Sequence, residues 1–376
     1  MLGVGVGTMA LVVVLSVFNG LEDFQRNLYK SFDADLKISP KVGKNFDCPP
    51  LLLEKLRKIE GVKNINQVIE ENVLVRYRNA QTVVNLKGVD DNFLKQERLK
   101  KALVDGKLSL KENGISQAIV GSGVAITLGI DVDAFFTPLE VWFPRNTKAK
   151  TIDFTSSEAF NKMSLIPAGV FVIEQEYDDN YIFAPLTFAQ NLFEYNDERT
   201  SLEVQVVDSE EIDKVQKALR QTLGTNFTVQ NQDEQHASLL RAIKIEKLFV
   251  FLTLTFIIGI ASFNIFFSLS MLAIEKKEDV KTLFAIGANR GMIQRIFMSE
   301  GAIVAFSGAI VGLFLGYVLC LLQQKYGFVS MGIEGALIDA YPVKMQFYDF
   351  FFTALVVVII TIIASYFPAK KAAIVQ

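Results

Sequence analysis

Histidine is nearly missing from this chain: His236 is the only one in 376 residues. That removes histidine-based catalytic triads and His-rich metal sites. Cysteine is almost as scarce. Cys48 lies in a polar middle region and Cys320 inside an apolar run, so no disulfide is expected between them, and no metal-binding spacing exists. The motif G-x-x-x-x-G-K-(S/T) does not occur, so the chain offers no P-loop for ATP. No nucleophile–base pair stands out. An excess of charge of one sign is missing too: 38 Lys and Arg against 41 Asp and Glu leave −3, which gives no argument for a nucleic-acid partner. Trp142 is the only tryptophan and is read as core. The lone His236 falls in a helical approach, 232–247, and is read as a polar-face residue.

Apolar residues are plentiful and unevenly placed. They make up 51% of the chain, with a mean hydropathy of +0.30. That is high for a soluble protein and low for membrane helices throughout, so the middle must be a water-facing domain. The runs 248–272 and 302–322 are each long enough to cross a bilayer of about 30 Å at about 1.5 Å per residue. A further span is expected at 350–367, closed by Pro368 and Lys370-Lys371. The opening run 2–18 is short for a span and lacks a basic n-region or a small-x-small cleavage site before Glu22. It is read as a first span over 1–20, with the chain expected to begin inside it. Asn264 is polar within its run, which suggests a face turned to other helices. Gly308, Gly312 and Gly316, at spacing four, permit close helix contact.

Between the second and third spans stands the only strongly charged segment of this part, 275–301, EKKEDVKTLFAIGANRGMIQRIFMSEG. Its Lys276, Lys277, Lys281, Arg290 and Arg295 place it on the cytoplasmic side, which puts the middle region, 26–246, outside. Val280, Leu283, Phe284 and Ile286 can share one helix face, Gly287 reads as a stop, and Met292, Ile293, Ile296 and Phe297 resume the period. Spacing alone leaves two readings open: a compact knob that another protein could grip, or a solvated loop.

In the middle region, 34–38, 73–77, 83–89, 202–207 and 227–229 read as strands, and 49–59 and 210–223 as helices. Two β-α-β halves flanking an insert at about 91–180 would give an α+β sheet with helices on one face. Unrelated strands and helices fit the pattern equally. Within the insert, 92–101 reads as a short helix, and 139–143 and 170–174 as strands. Gly121-Ser122-Gly123 reads as a strand-to-helix turn rather than a phosphate cradle, since no Walker or Rossmann spacing surrounds it. The polar, period-free segment 151–167 reads as a long loop. Asp178-Asp179 read as solvated loop carboxylates rather than a cation site.

The segment 275–301 resembles the signature of FtsX/MacB-type permeases of ABC transporters, with Glu275, Leu283, Ala285, Ile286, Gly287, Ala288, Ile293, Phe297, Glu300 and Gly301 in register. Asp279-Val280-Lys281 stands where Glu/Ile/Gly is usual, and Phe284 where a basic residue is common. The first span, LGVGVGTMALVVVLSVFNGLEDF, resembles that of the lipoprotein-releasing (Lol) permeases. So does PAGVFVIEQEYDDNYIFAPLTFAQ, through Gly169, Phe171, Tyr177, Asp178, Phe183, Leu186, Ala189 and Gln190. The ending Pro368, Ala369, Ala372 and Ala373 matches the superfamily's P-A-x-x-A-A.

The resemblance implies an α-helical membrane protein with four transmembrane helices and a large α+β extracytoplasmic domain. That domain is MacB-like, with a Porter core and an inserted, Sabre-like β subdomain. It also implies a coupling segment, 275–297, that docks an ABC ATPase dimer through Glu275, Lys276, Glu278, Leu283, Ile286, Gly287, Ala288 and Arg290. ATP and Mg would be bound by that ATPase, with no cofactor on this chain. The other implied partners are a second permease copy or homologue, a lipoprotein cargo and a periplasmic carrier, which in one type of Lol permease docks on a loop near 151–167. The location implied is the inner membrane. Cargo acyl chains would be held between the first and second spans of the two permeases, with Met9, Val13, Val17, Phe256 and Phe263 as lining candidates. Two other assignments stay open: a MacB-like efflux permease, and an FtsX-like mechanotransmission permease controlling a cell-wall hydrolase.

Overall fold

The structure, a computed structural model, describes residues 2–95, 97–134, 137–145, 159–331 and 340–374. It divides into two compact units: Met1–Gln25 with Ser238–Gln376, and Arg26–Ala237.

The first unit is helical. Among the described residues, four helices are long and apolar enough to cross a membrane: Leu2–Phe32, Ala237–Glu275, Arg290–Tyr326 and Phe347–Ala372. Their common interior holds Leu11, Leu15, Ile258, Ile265, Ala305 and Val357. Three buried hydroxyls turn back onto their own helices. Thr8 donates to the Val4 carbonyl at 2.7 Å, Ser262 to Ile258 at 2.8 Å and Thr361 to Val357 at 2.7 Å. This satisfies them without water, as a hydrocarbon surrounding requires.

The glycine stripe is the contact between the first and third helices. A methyl group on Gly312 would run into the Gly5 carbonyl and Thr8, and one on Gly316 would press on Val12. Small residues let the two backbones approach. The first and second helices also run close: a methyl on Gly7 would meet Ile258, and one on Gly3 would meet Ala261.

The second unit is α+β. Leu36–Pro40, Pro50–Arg57 and Val62–Tyr77 form one β-α-β half; Ser201–Val206, Ile212–Leu223 and Phe227–Asn231 form the other. Their strands interleave, all antiparallel, in the order 227–231, 36–40, 201–206, 62–77. Both helices pack on one face, where Leu53, Leu56, Val215 and Leu219 meet Leu36, Ile38, Ile65, Leu202 and Val204.

The strands of the insert hydrogen-bond into the same sheet. Ala80–Val89 pairs in parallel with Tyr181–Pro185, which pairs with Ile115–Gly121, and that strand pairs with Phe160–Phe171. Leu139–Pro144 then pairs with both Phe160–Phe171 and Val62–Tyr77. With Val62–Tyr77 paired antiparallel to Ala80–Val89, six strands close a ring, which leaves no edge among them. Val75, Leu86, Val120, Val141, Leu165 and Ile182 are in its core.

Three expectations for the insert are corrected. The proposed loop 151–167 is strand from Phe160, its 151–158 part lying outside the described residues. Its period of two was masked because the inward positions after Leu165 are Pro167 and Gly169. Pro167 is tolerated at an irregularity in the pairing with Ile115–Gly121. The strand expected at 170–174 ends at Phe171. Trp142 is not core: it is half-buried, and the Lys162 ammonium lies 4.0 Å from its ring centre.

Candidate functional site

The charged segment between the second and third membrane helices is a folded knob. Lys277–Ala285 is a helix, and Asn289 caps the next one by accepting from the Met292 amide at 2.8 Å. Gly287 stands between them at φ +100°, where a side chain would be strained. Lys276 pairs with Asp279 at 3.0 Å and Lys281 with Glu278 at 2.9 Å, one turn apart on the surface. Asp279, by hydrogen bond and charge, holds the Lys276 ammonium above its ordinary pKa.

The apolar face of this helix is split. Val280 is buried with Ile293, Phe297, Ala369 and Ala372, and Leu283, Phe284 and Ala288 pack against that cluster. Ile286 points the other way and is 76% exposed. Of the eight positions singled out for docking, Glu275, Lys276, Glu278, Ile286, Gly287 and Arg290 are exposed; Leu283 and Ala288 are half-buried. The tip therefore combines a rigid base, one bare isoleucine and a rim of charges. That is the anatomy of a small docking surface.

The lining candidates fall on two faces. Met9, Val13 and Val17 make a half-buried stripe on the first helix. Phe256 and Phe263, seven residues apart, are 69% and 58% exposed, on the side of the second helix away from its buried Ile258 and Ile265. A single chain leaves these aromatics outside its own core. Asn264 is exposed as well.

Two polar clusters escaped the sequence reading. The first joins helix ends in the helical unit. Asn19, 2% exposed, donates to the Asp349 carboxylate and to the Lys344 carbonyl, and accepts from the Lys247 ammonium at 2.6 Å. Lys247 also lies 3.6 Å from Asp349, and Lys344 pairs with Asp23. The second is a cleft of about 520 Å³ in the soluble unit, lined among others by Asp33, Glu70, Lys87, Tyr177, Glu203 and His236.

His236 is no simple polar-face residue: it bonds to Asp33 and stacks on Tyr29 with ring centres 3.5 Å apart. Lys87 and Glu203 form a buried ion pair at 2.6 Å. Burial opposes the Lys87 charge, but Glu203 and Glu70 outweigh it and hold its pKa above the ordinary value. Burial likewise opposes the Glu70 charge. Lys37, Lys87 and hydrogen bonds from Tyr181 and Asn85, both 2.9 Å, win and hold its carboxyl below the usual range. Such networks have no sequence period, because their members come from several strands and helix ends.

Asp178 is a correction too. It is buried in the helix Gln175–Asn180 and accepts from the Ile173 amide at 2.8 Å. Burial pushes its carboxyl up to about 6. The Gly-Ser-Gly turn is explained by the same helix. A side chain at Gly121 would meet the Asp178 backbone, and one at Gly123 the Asp179 carboxylate. A carboxylate over that turn is the reverse of a phosphate cradle.

Four spanning-length helices, a folded knob between two of them and a large α+β unit define a membrane permease architecture. The chain belongs to the MacB-like periplasmic core domain family, whose model matches residues 1–222; that of the FtsX-like permease C-terminal region matches residues 251–376. Over its whole length it is similar to curated relatives. The lipoprotein-releasing system transmembrane protein LolE of Haemophilus influenzae is 24% identical over 100% of this chain and 91% of that protein. LolC of Buchnera aphidicola is 25% identical over 99% and 89%. An uncharacterized ABC transporter permease of Methanocaldococcus jannaschii is 23% identical over 99% and 90%.

Proposed function

We propose that this chain is the permease subunit through which a separate ABC ATPase drives the release of lipoproteins from an inner membrane toward a periplasmic carrier. ATP and Mg are held by the ATPase dimer, and the chain works beside a second permease copy or homologue. The observation that carries the coupling role is the knob: Ile286 bare at the tip, on a helix clamped to the bundle by Val280. A rigid base transmits displacement, which a solvated loop would absorb. Binding at the knob must differ between the ATP-bound and free states of the ATPase, or nothing is coupled. The cargo assignment rests on similarity to LolC and LolE along the whole chain. Withdrawing an acyl chain from lipid costs about 0.8 kcal/mol per CH₂, which explains a need for ATP. The outward aromatics Phe256 and Phe263 suit an acyl surface completed by the second permease.

Ile286→Asp tests the knob, because its side chain leaves the buried cluster untouched; a charge at half-buried Leu283 would confound docking with folding. The ATPase should no longer co-purify with the variant while the chain stays folded in the membrane. Normal co-purification would refute the coupling role. For the cargo, a photo-crosslinker at Val13 and at Phe256 should capture a lipoprotein that ATP then releases; capture of phospholipid alone would refute the lipoprotein assignment.

A further inference from the structure

The second membrane helix is the least embedded in the bundle: 17% of its most apolar window is buried, against 39% for the first. Its contacts with the first helix show an antiparallel register. Gly3 lies by Ala261 and Gly7 by Ile258, near the start of the first helix. At the far end of the same seam stand Asn19 and Lys247. The apolar contact at Gly3 and Gly7 has little to gain by opening. The polar one is different in kind. Lys247, Asn19 and Asp349 sit where the apolar run begins, at residue 248, so water can reach each of them once the helix ends part.

Asn19 is the centre: its amide oxygen accepts from Lys247 and its amide nitrogen donates to Asp349, so one side chain ties the first, second and fourth helices. The segment before the fourth helix is fixed at the same place. The Lys344 amide donates to the Ser16 carbonyl at 2.9 Å, and Gln324 of the third helix donates to the Val343 carbonyl at 2.8 Å. A methyl on Gly20 would collide with the Pro342 carbonyl.

We infer that Asn19, Lys247 and Asp349 form a releasable latch, a set of positioning residues that holds the far ends of the first and second helices together and opens during the transport cycle. The inference deepens the function proposed above and rests on it. The latch lies beyond Val17 on the first helix and before Phe256 on the second, so its opening frees the two lining surfaces to change their spacing. An apolar seam would not serve as well: apolar faces meet lipid as readily as each other and fix no single arrangement, whereas the polar groups hold one geometry when joined and regain water when parted.

The test uses the full chain assembled with its ATPase in proteoliposomes. Asn19→Cys with Lys247→Cys is joined by a short cleavable thiol crosslinker; the native Cys48 and Cys320 are both buried. Joining should leave the complex assembled, stop lipoprotein release, and be reversed by reductant. Crosslinking yield should differ between the ATP-bound and nucleotide-free complex. In a second arm, Lys247→Asp should raise the ATP hydrolysed per lipoprotein released by about 10-fold, through an unpaired carboxylate beside Asp349. Adding Asp349→Lys should recover most of that ratio. A merely structural pair would lower assembly without moving the ratio. Release at the unjoined rate after crosslinking, or a yield indifferent to nucleotide, overturns the latch. If the unmodified complex releases no lipoprotein but the yield still follows nucleotide, the cargo assignment fails and the latch stands.

Discussion

The two units of this chain solve one problem in opposite ways. In the helical unit the fully buried polar side chains, among the described residues, are hydroxyls and the single amide of Asn19; none is charged. Three of the hydroxyls, those of Thr8, Ser262 and Thr361, close on their own backbone, and the backbones approach through glycine. In the soluble unit the buried set includes Lys87, Asp178, Arg199 and Glu203. Arg199 is satisfied by Gln67 at 2.9 Å and by the Glu198 carbonyl at 2.6 Å, and Lys87 by Glu203. The difference follows from the solvent each unit meets. A charge between membrane helices has no water to fall back on when its partner moves, while a sheet domain in water can afford to pair charges inside. What moves in the cycle should therefore be held by groups at the water boundary. The latch and the knob are both such places.

The sharpest way to break this comparison is a bulky side chain in the glycine seam. Gly312→Leu would drive into the Gly5 carbonyl and Thr8, and the helical unit should lose about 3 kcal/mol or more, enough to cut the yield of protease-resistant protein. Gly259→Leu, where an added carbon meets nothing within 4 Å, should leave that yield unchanged. Equal loss from both would mean that glycine serves helix flexibility here rather than close contact.

Next in size is the buried pair. Glu203→Leu should destabilise the soluble unit by about 3–5 kcal/mol, because Lys87 is left charged and buried. Adding Lys87→Met should recover most of that. Amide exchange across Val62–Tyr77 and Ala80–Val89 would report both. If the double variant is no better than the single one, the pair is not the unit of stability.

The smallest effect concerns Asp178. With its folded pKa pushed up to about 6, the folded state holds the proton more tightly than the unfolded one. Stability from this group is present below about pH 4, falls as pH rises toward 6, and is absent at pH 7. Asp178→Asn keeps an acceptor for the Ile173 amide and should add about 2 kcal/mol at pH 7, with no gain at pH 4. A pH-independent gain would mean that titration of this carboxyl is not the cause.

Much of the fold was legible because it rests on local period. The membrane helices announce themselves by long apolar runs, and the β-α-β halves by alternation followed by an amphipathic helix. The knob's helix–glycine–helix form could be read from Gly287 and the resumed period at Met292. Orientation within it could not: Leu283 and Ile286 are equally apolar, and only packing against Phe297 and Ala369 decides which one turns inward. The strand at Phe160–Phe171 was missed because proline and glycine hid its inward face. His236 and Asp178 were misread because their partners, Asp33, Tyr29 and the Ile173 amide, meet them only in the folded chain.

The spans, the position of the charged segment between them, and the family can all be read from the sequence, since each depends on residues close together along the chain. Only the folded chain fixed the closure of six strands into a ring, the turning of Ile286 outward at the knob's tip, and the meeting of Asn19 with Lys247 and Asp349. Those rest on pairings across long loops, where composition constrains which groups are available but only the folded backbone fixes which of them come within reach.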